Sequence, residues 1–329
     1  ITGGHVYEAV GKDFEAYLTK QGFDVILVNF NGESSTKEID RIAAIAKDQG
    51  ATAIYGLGGG KTSDTAKAVA DTAKLPVVIM PTLASTDAPC SRLSVIYKED
   101  GTVENYRFYD HNPELVLVDS QVIANAPARL LVAGIADALA TNVEAQAVTQ
   151  SGANTMLDAK QTLVGIAIAK KCEETLFKYA HQAVAAVEQN VVSSALEKII
   201  EANTLMSGLG FESGGLSGAH AIHNGLCIFE ETHALTHGEK VAYGTLTQLM
   251  LEGADEERYN KYLRLIKSLG LPTTLADLHL ADVSDEALLE AGKVACAPTD
   301  TLHRLPFEVE PGDVAQAFRA VDAYSKQIL

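Results

Sequence analysis

Basic residues are in short supply. The 329-residue chain has 26 Lys and Arg against 43 Asp and Glu, a formal charge of −17. Counterion release on a polyanion needs clustered Lys and Arg, so the balance argues against a nucleic-acid surface, although a small basic pocket stays compatible with it. Cysteine is sparse as well. Cys90, Cys172, Cys227 and Cys296 are scattered, with no CxxC pair. That pattern suggests neither a disulfide framework nor a zinc ribbon, and it fits a reducing cytoplasm. No apolar run reaches the ~18–20 residues of a membrane span. No basic stretch leads into an apolar one near the start, so no signal peptide is expected.

What is present points to a folded enzyme-sized chain. Hydrophobic residues make up 47% and charged residues 21%, which excludes extensive disorder. The length suggests two domains. In the first third, short apolar runs alternate with helical patterns. Val25 to Phe30, Ala53 to Tyr55 and Val77 to Met80 read as buried strands. Ser35 and Thr36 offer an N-cap ahead of Ile39, Ile42, Ala43 and Ala46 at helical spacing, and Thr62 to Ala73 reads as a second helix. This alternation predicts a parallel sheet with crossover helices. Leu93 to Tyr97 and Val103 to Phe108 flank Asp100-Gly101 as a hairpin, and Leu115 to Val118 reads as one more buried strand. Beyond Asn125 the pattern turns Ala- and Leu-rich with helical spacing. The expectation is an α/β domain over residues 1–125 and an all-helical domain over 126–329.

Three polar features stand out. Gly56 to Asp64 (GLGGGKTSD) sits between a strand and a helix, where free N–H groups can bind an anion. It is no Walker A loop, because Tyr55 stands where the first glycine belongs. It is no GxGxxG fingerprint either, because Lys61 replaces the third glycine. Three adjacent glycines favour a phosphate cradle over a plain tight turn, without telling a dinucleotide from a mononucleotide or a sugar phosphate. The loop Pro81 to Pro89 follows a strand end, where open α/β sheets bind ligands. Thr82, Ser85 and Asp87 there offer groups to a polar ligand, or else form solvated turns. Finally, His220, His223, His233 and His237 cluster, and Asp137 stands in an apolar helical stretch. A metal site is one reading, since neutral imidazoles bind zinc and a buried lone acid needs a partner. Solvated or core side chains are the other, because no HExxH or CxxC signature is present.

Taken together, the stretches Gly56 to Asp64, Ser85 to Ser91 (STDAPCS), Ser217 to Gly225 (SGAHAIHNG) and His237 to Lys240 (HGEK) resemble the iron-containing alcohol dehydrogenase superfamily over nearly the whole chain. The resemblance implies a dehydroquinate synthase-like architecture, with an N-terminal dinucleotide-binding α/β domain, a helical C-terminal domain and the active site in the cleft between them. It implies NAD, one catalytic zinc, and oxidation of glycerol or a related vicinal diol. Carried over by motif, Asp137, His220 and His237 are the metal ligands. Asp87 contacts the polyol hydroxyls, and His223 sits near the nicotinamide. Gly59, Gly60 and Lys61 lie along the pyrophosphate, with Thr82, Ser85, Ser91, Leu93 and Tyr97 lining the rest of the cofactor site. Iron-dependent relatives carry a histidine four residues after the aspartate ligand. Thr141 stands there in this chain, which favours a three-ligand zinc site. The family also implies a homo-octamer, and a first strand with an acidic residue ahead of Ile1. Two alternatives share this frame. A dehydroquinate-synthase-like lyase or a glycerol-1-phosphate dehydrogenase needs a basic phosphate pocket, and no Lys or Arg cluster lies near Asp87 or the histidines. A folded but non-catalytic NAD-binding chain is the other.

Overall fold

The computed structural model describes residues 1–98 and 102–328. A short helix α1 (Gly4–Val6) runs through a π turn into α2 (Lys12–Lys20). Helix α3 (Thr36–Asp48) starts where the sequence places its cap, with the Ser35 hydroxyl accepting from the Glu38 N–H. Strand β1 (Ile54–Gly58), helix α4 (Gly60–Ala73) and strand β2 (Val77–Pro81) follow, and β1 and β2 pair in parallel. Strands β3 (Leu93–Tyr97) and β4 (Val103–Phe108) pair antiparallel, as the expected hairpin requires. The expected turn at Asp100-Gly101 lies outside the described residues. Strand β5 (Leu115–Val116) adds to β2 in parallel, giving the order β1-β2-β5. The α/β alternation is therefore as expected.

Two strand expectations need correction. Val25 to Phe30 is extended but is not a strand, and only Asn29 bridges, to Thr2. Its backbone–backbone hydrogen bonds among the described residues lie on the two sides of Thr2: Thr2 N–H to Val28 O, and Phe30 N–H to Thr2 O. A strand is defined by its ladder, and one inserted residue makes too short a ladder. Leu115 to Val118 shrinks to two paired residues, and Leu115 and Leu117 are exposed rather than buried. Asp119, which follows it, caps α5 (Ser120–Ala124) by accepting from the Gln121 and Val122 N–H groups.

From Ser120 onward the regular structure of the described residues is helical: α6 (Ala128–Ser151), α7 (Leu163–Glu188), α8 (Ser194–Glu201), α9 (Ser207–Gly214), α10 (Gly218–Leu226), α11 (His237–Leu251), α12 (Glu256–Ser268), α13 (Asp285–Ala295) and α14 (Pro311–Gln327). A π turn over Ala202–Met206 joins α8 to α9. Helix α6 is apolar nearly all round, which marks a helix packed on every side. It ends at Gly152, whose φ of 66° is left-handed and suits glycine. Ile135, Leu139, Leu176, Tyr243 and Phe318 lie in the large helical core, while Ile39, Ile42, Val69 and Ile79 form the core between sheet and helices. Ala84, on the loop after β2, packs into the helical core, so this loop reaches from one to the other. No helix among the described residues is long and apolar enough to cross a membrane.

Candidate metal centre

The glycine loop and the polar loop meet at the C-terminal ends of β1 and β2. The Thr82 N–H donates to Gly58 O. Helix α4 begins at Gly60 with Gly59 as its N-cap and no side chain capping it, so its first-turn N–H groups face the loop mouth. A Cβ on Gly60 would come within 3.0 Å of Thr86 Oγ1, which places Gly60 directly against the polar loop. Lys61 lies at the surface, paired with Glu33 at 2.7 Å and over the Tyr97 ring at 5.1 Å.

Beneath these loops lies a buried cation that sequence reasoning missed. Lys67 Nζ is 3.0 Å from Asp64 Oδ1 and donates to the backbone carbonyls of Ala88, Ser91 and Leu93. The Lys67 side chain is 2% exposed. One ammonium thus ties the end of the polar loop, including Ser91, to the start of β3 at Leu93. Burial pushes the Asp64 carboxyl up, against the pull of Lys67. The only sequence hint was a Lys and an Asp three apart on a face otherwise made of small apolar residues.

The far end of the same loop reaches the helical core. Its approach is permitted by two glycines. A Cβ on Gly134 of α6 would lie 1.9 Å from Ala84 O, and one on Gly208 of α9 would lie 2.9 Å from Asp87 O. Asp87 donates its backbone N–H to Asp137 Oδ2 at 3.3 Å, and its own Oδ2 accepts from the Ser207 hydroxyl at 2.8 Å. Ser207 also pairs with Thr141 at 2.8 Å. Burial, then the nearby Asp137 charge, push the Asp87 carboxyl up to about 8.

Asp137, His220 and His237 converge. One ligand atom from each lies within 4.8 Å of the others. His220 Nε2 is 3.3 Å and His237 Nε2 3.1 Å from Asp137 Oδ1. Yet that oxygen is buried and accepts no well-aligned hydrogen bond. A buried carboxylate oxygen without a hydrogen bond is costly, and two imidazole nitrogens with one carboxylate are a donor set that suits zinc or iron. These residues fit a divalent metal. Burial works against charge on His220, but Glu144 and Asp137 outweigh it and its pKa stands well above the ordinary value. His237 is lowered, by burial and by His223.

Each of the two histidines lies in the first turn of its helix. His237 is the first residue of α11, whose capping box pairs Thr236 with Glu239, and Arg129 of α6 clamps both Glu239 oxygens at 2.7 and 2.8 Å. His220 lies in the first turn of α10. The opening N–H groups of that helix are taken by side chains from elsewhere: Gln248 Oε1 accepts from Gly218 and Ala219, and Glu144 Oε1 from Ser217 and His220. His223 is buried, and its Nε2 faces His237 Nδ1 at 3.0 Å; burial, then Lys240, hold its pKa down to about 3. Exposed His233 stays apart, with its ring nitrogen 3.2 Å from Cys227 O.

The site is thus one chain of contacts, from Gly60 through Thr86 and Asp87 to Asp137 and the two histidines. Sequence reasoning missed Glu144, Ser207 and Lys67. Glu144 had a signal: it follows Asp137 by two helical turns, on the same face of an apolar helix.

Comparison with known proteins identifies the family. Residues 1–120 match the family described as iron-containing alcohol dehydrogenase. A glycerol dehydrogenase of Escherichia coli is 47% identical over 326 residues, covering 99% of this chain and 88% of that protein. A glycolaldehyde reductase of Halobacterium salinarum is 46% identical, covering 98% of this chain and 88% of that one. The crystal structure of a glycerol dehydrogenase from Schizosaccharomyces pombe superposes with a TM-score of 0.96 at 42% identity, covering 99% of this chain and 83% of that one. With such identity over most of each relative's length, this oxidoreductase chain belongs to the iron-containing alcohol dehydrogenase family.

Proposed function

We propose that this chain oxidises glycerol to dihydroxyacetone, and related vicinal diols to hydroxyketones, with NAD as hydride acceptor and zinc held by Asp137, His220 and His237. The observation that carries the reading is the orphaned buried Asp137 Oδ1 between two imidazole nitrogens, one residue contact away from Asp87. Relatives named glycerol dehydrogenase, matched across nearly the whole chain, support the substrate. When bound, a zinc ion supplies a Lewis acid that lowers the pKa of a substrate hydroxyl.

The chain's own residues do the rest. Asp137, with its other oxygen held by the Asp87 N–H, keeps one carboxylate oxygen and two imidazole nitrogens fixed around a single point. Asp87, anchored by Ser207 on one oxygen, offers the other to the neighbouring hydroxyl of a diol. That second hydroxyl distinguishes a vicinal diol from a simple alcohol. Gly59, Gly60 and Lys61 take the pyrophosphate at the α4 N-terminus, where the helix dipole and free N–H groups favour an anion. Thr82, Ser85, Ser91, Leu93 and Tyr97 line the remainder, and His223 buttresses His237 beside the nicotinamide end. In this reading residues 1–125 hold the cofactor and 126–329 the metal. Thr141 is engaged with Ser207, which leaves three protein ligands and favours zinc over iron. The free cysteines fit the cytoplasm.

The test is NADH formation from NAD and glycerol after chelation, then after adding back zinc or iron. Zinc should restore turnover, and Asp137→Ala or His220→Ala should abolish both metal retention and turnover. Full activity in either variant, or a folded parental protein inactive with every metal and diol tried, would overturn the reading.

A further inference from the structure

We propose that Glu144 is a positioning residue which sets the tautomer of His220 and thereby the metal affinity of the site. This inference rests on the reading of Asp137, His220 and His237 as metal ligands. The Glu144 side chain is fully buried on α6, two turns beyond Asp137. Its Oε2 lies 2.6 Å from His220 Nδ1, and its Oε1 accepts the Ser217 and His220 N–H groups at 3.0 and 3.1 Å. A carboxylate can only accept, so His220 Nδ1 must carry a proton. A histidine binds a metal as the neutral ring, and with its proton on Nδ1 it offers Nε2, the atom 3.3 Å from Asp137 Oδ1. A metal ion bound there takes the place of the proton that otherwise lies between imidazole and carboxylate.

The second histidine is arranged the same way with a weaker partner. His237 Nδ1 donates to His223 Nε2 at 3.0 Å, which again leaves Nε2 toward Asp137. His223 in turn keeps its proton on Nδ1, facing Asn224 Oδ1 at 3.1 Å. One ligand is therefore oriented by an anion and the other by a neutral ring. A carboxylate behind an imidazole raises the basicity of its coordinating nitrogen, so His220 is the stronger donor of the two.

Glu144→Gln separates orientation from packing. The amide matches the carboxylate in shape, and its oxygen can keep both backbone N–H bonds at the start of α10. The reversed amide would set two donors against those N–H groups, so the NH₂ is driven to the Oε2 position. There it donates to Nδ1, moves the imidazole proton onto Nε2, and blocks the metal. The experiment strips the protein of metal and titrates it with zinc against a chromophoric chelator. Metal-free melting is recorded in parallel for the parental chain, Glu144→Gln, Glu144→Ala and Asp137→Ala.

The expected result for Glu144→Gln is a 10–100-fold loss of zinc affinity with metal-free melting close to parental. Glu144→Ala, which also strips two N–H groups of their acceptor, should lose stability as well. Unchanged zinc affinity in Glu144→Gln, while Asp137→Ala binds poorly, would overturn the role of Glu144 and leave the metal site standing. Metal-free melting of Glu144→Gln as low as that of Glu144→Ala would reduce Glu144 to a structural group. Equal zinc binding by Asp137→Ala and the parental chain would overturn the metal-site reading itself, and this proposal with it.

Discussion

Replacing Gly134 with alanine should damage both stability and the site, although alanine is the better helix former. Gly134 lies one turn before Asp137 on α6, against the loop that carries Asp87. An added Cβ would sit 1.9 Å from Ala84 O and 2.5 Å from Asn203 Nδ2. An ordinary carbon–oxygen contact is at least ~3.3 Å, so loop and helix must part by about 1.4 Å. Overpacking of this kind costs about 1–3 kcal/mol. The shift also breaks the bond from Asn203 Nδ2 to Ala84 O, now 2.9 Å; Nδ2 keeps Leu131 O at 3.3 Å, but the buried carbonyl loses its donor, which costs about 1–3 kcal/mol more. Against this stands a gain of about 1 kcal/mol in helix propensity. The net loss is about 1–5 kcal/mol. At ~2.1 cal/mol/K of unfolding entropy per residue, a chain of 329 residues loses about 1.5 °C per kcal/mol, so Tm should fall by roughly 1.5–7.5 °C. Because the displaced loop carries the Asp87 N–H that holds Asp137 Oδ2, zinc affinity should fall too. Gly312→Ala in α14 is the control: a Cβ there meets nothing within 4 Å, and Tm should stay level or rise. Scanning calorimetry of metal-free and zinc-loaded protein decides the matter. A Gly134→Ala variant as stable as the parental chain would refute the steric argument.

Two further outcomes follow from buried charges. Lys67→Ala leaves Asp64 and three carbonyls without their cation, and breaking a buried pair costs about 3–5 kcal/mol; NADH binding, measured by fluorescence titration, should weaken with the loosened loop, and unchanged melting and affinity would remove Lys67 from the loop's support. Burial disfavours the Glu38 carboxylate, but bonds from Arg41 and Asn31 outweigh it and hold its pKa below the usual range. Its stabilisation is therefore complete above the unfolded value of about 4.3 and is lost as pH falls through the lower folded value. Glu38→Gln should flatten the acid limb of Tm against pH, and an unaltered limb would show that Glu38 does not contribute to it.

Elements that declare themselves locally were legible in the sequence. Ser35 and Thr36 ahead of an apolar run mark the start of α3, and the β1–α4–β2 alternation gives the parallel sheet, because capping and crossover chemistry act within a few residues. Val25 to Phe30 and Leu115 to Val118 were misread for the opposite reason. A short apolar run says nothing about whether a ladder partner is present along its length, and that depends on chain far away. The histidine cluster shows the same divide. Spacing singled out four histidines but could not separate His237 from His233. The 3₁₀ turn Glu230–Thr232 leaves one outside, while the capping box at Thr236 aims the other inward.

The residues the sequence concealed are the ones that hold ligands rather than act as ligands. Glu144 reads as an ordinary helix acid, and its role exists only because α10 begins beside α6. Both buried carboxylates of α6 would destabilise an apolar helix if unanswered. The structure answers each differently. Glu144 receives two backbone N–H groups and an imidazole N–H, whereas Asp137 keeps one oxygen with no aligned donor at all. Packing this close could have closed over that oxygen. Instead a ring nitrogen of His220 and one of His237 lie 3.3 and 3.1 Å from it, each ring held by its own partner. That the helix supplies partners for one acid and withholds them from its neighbour two turns earlier is the main support for the proposed cation, and the glycines at 134 and 208 let the Asp87 loop approach that point closely.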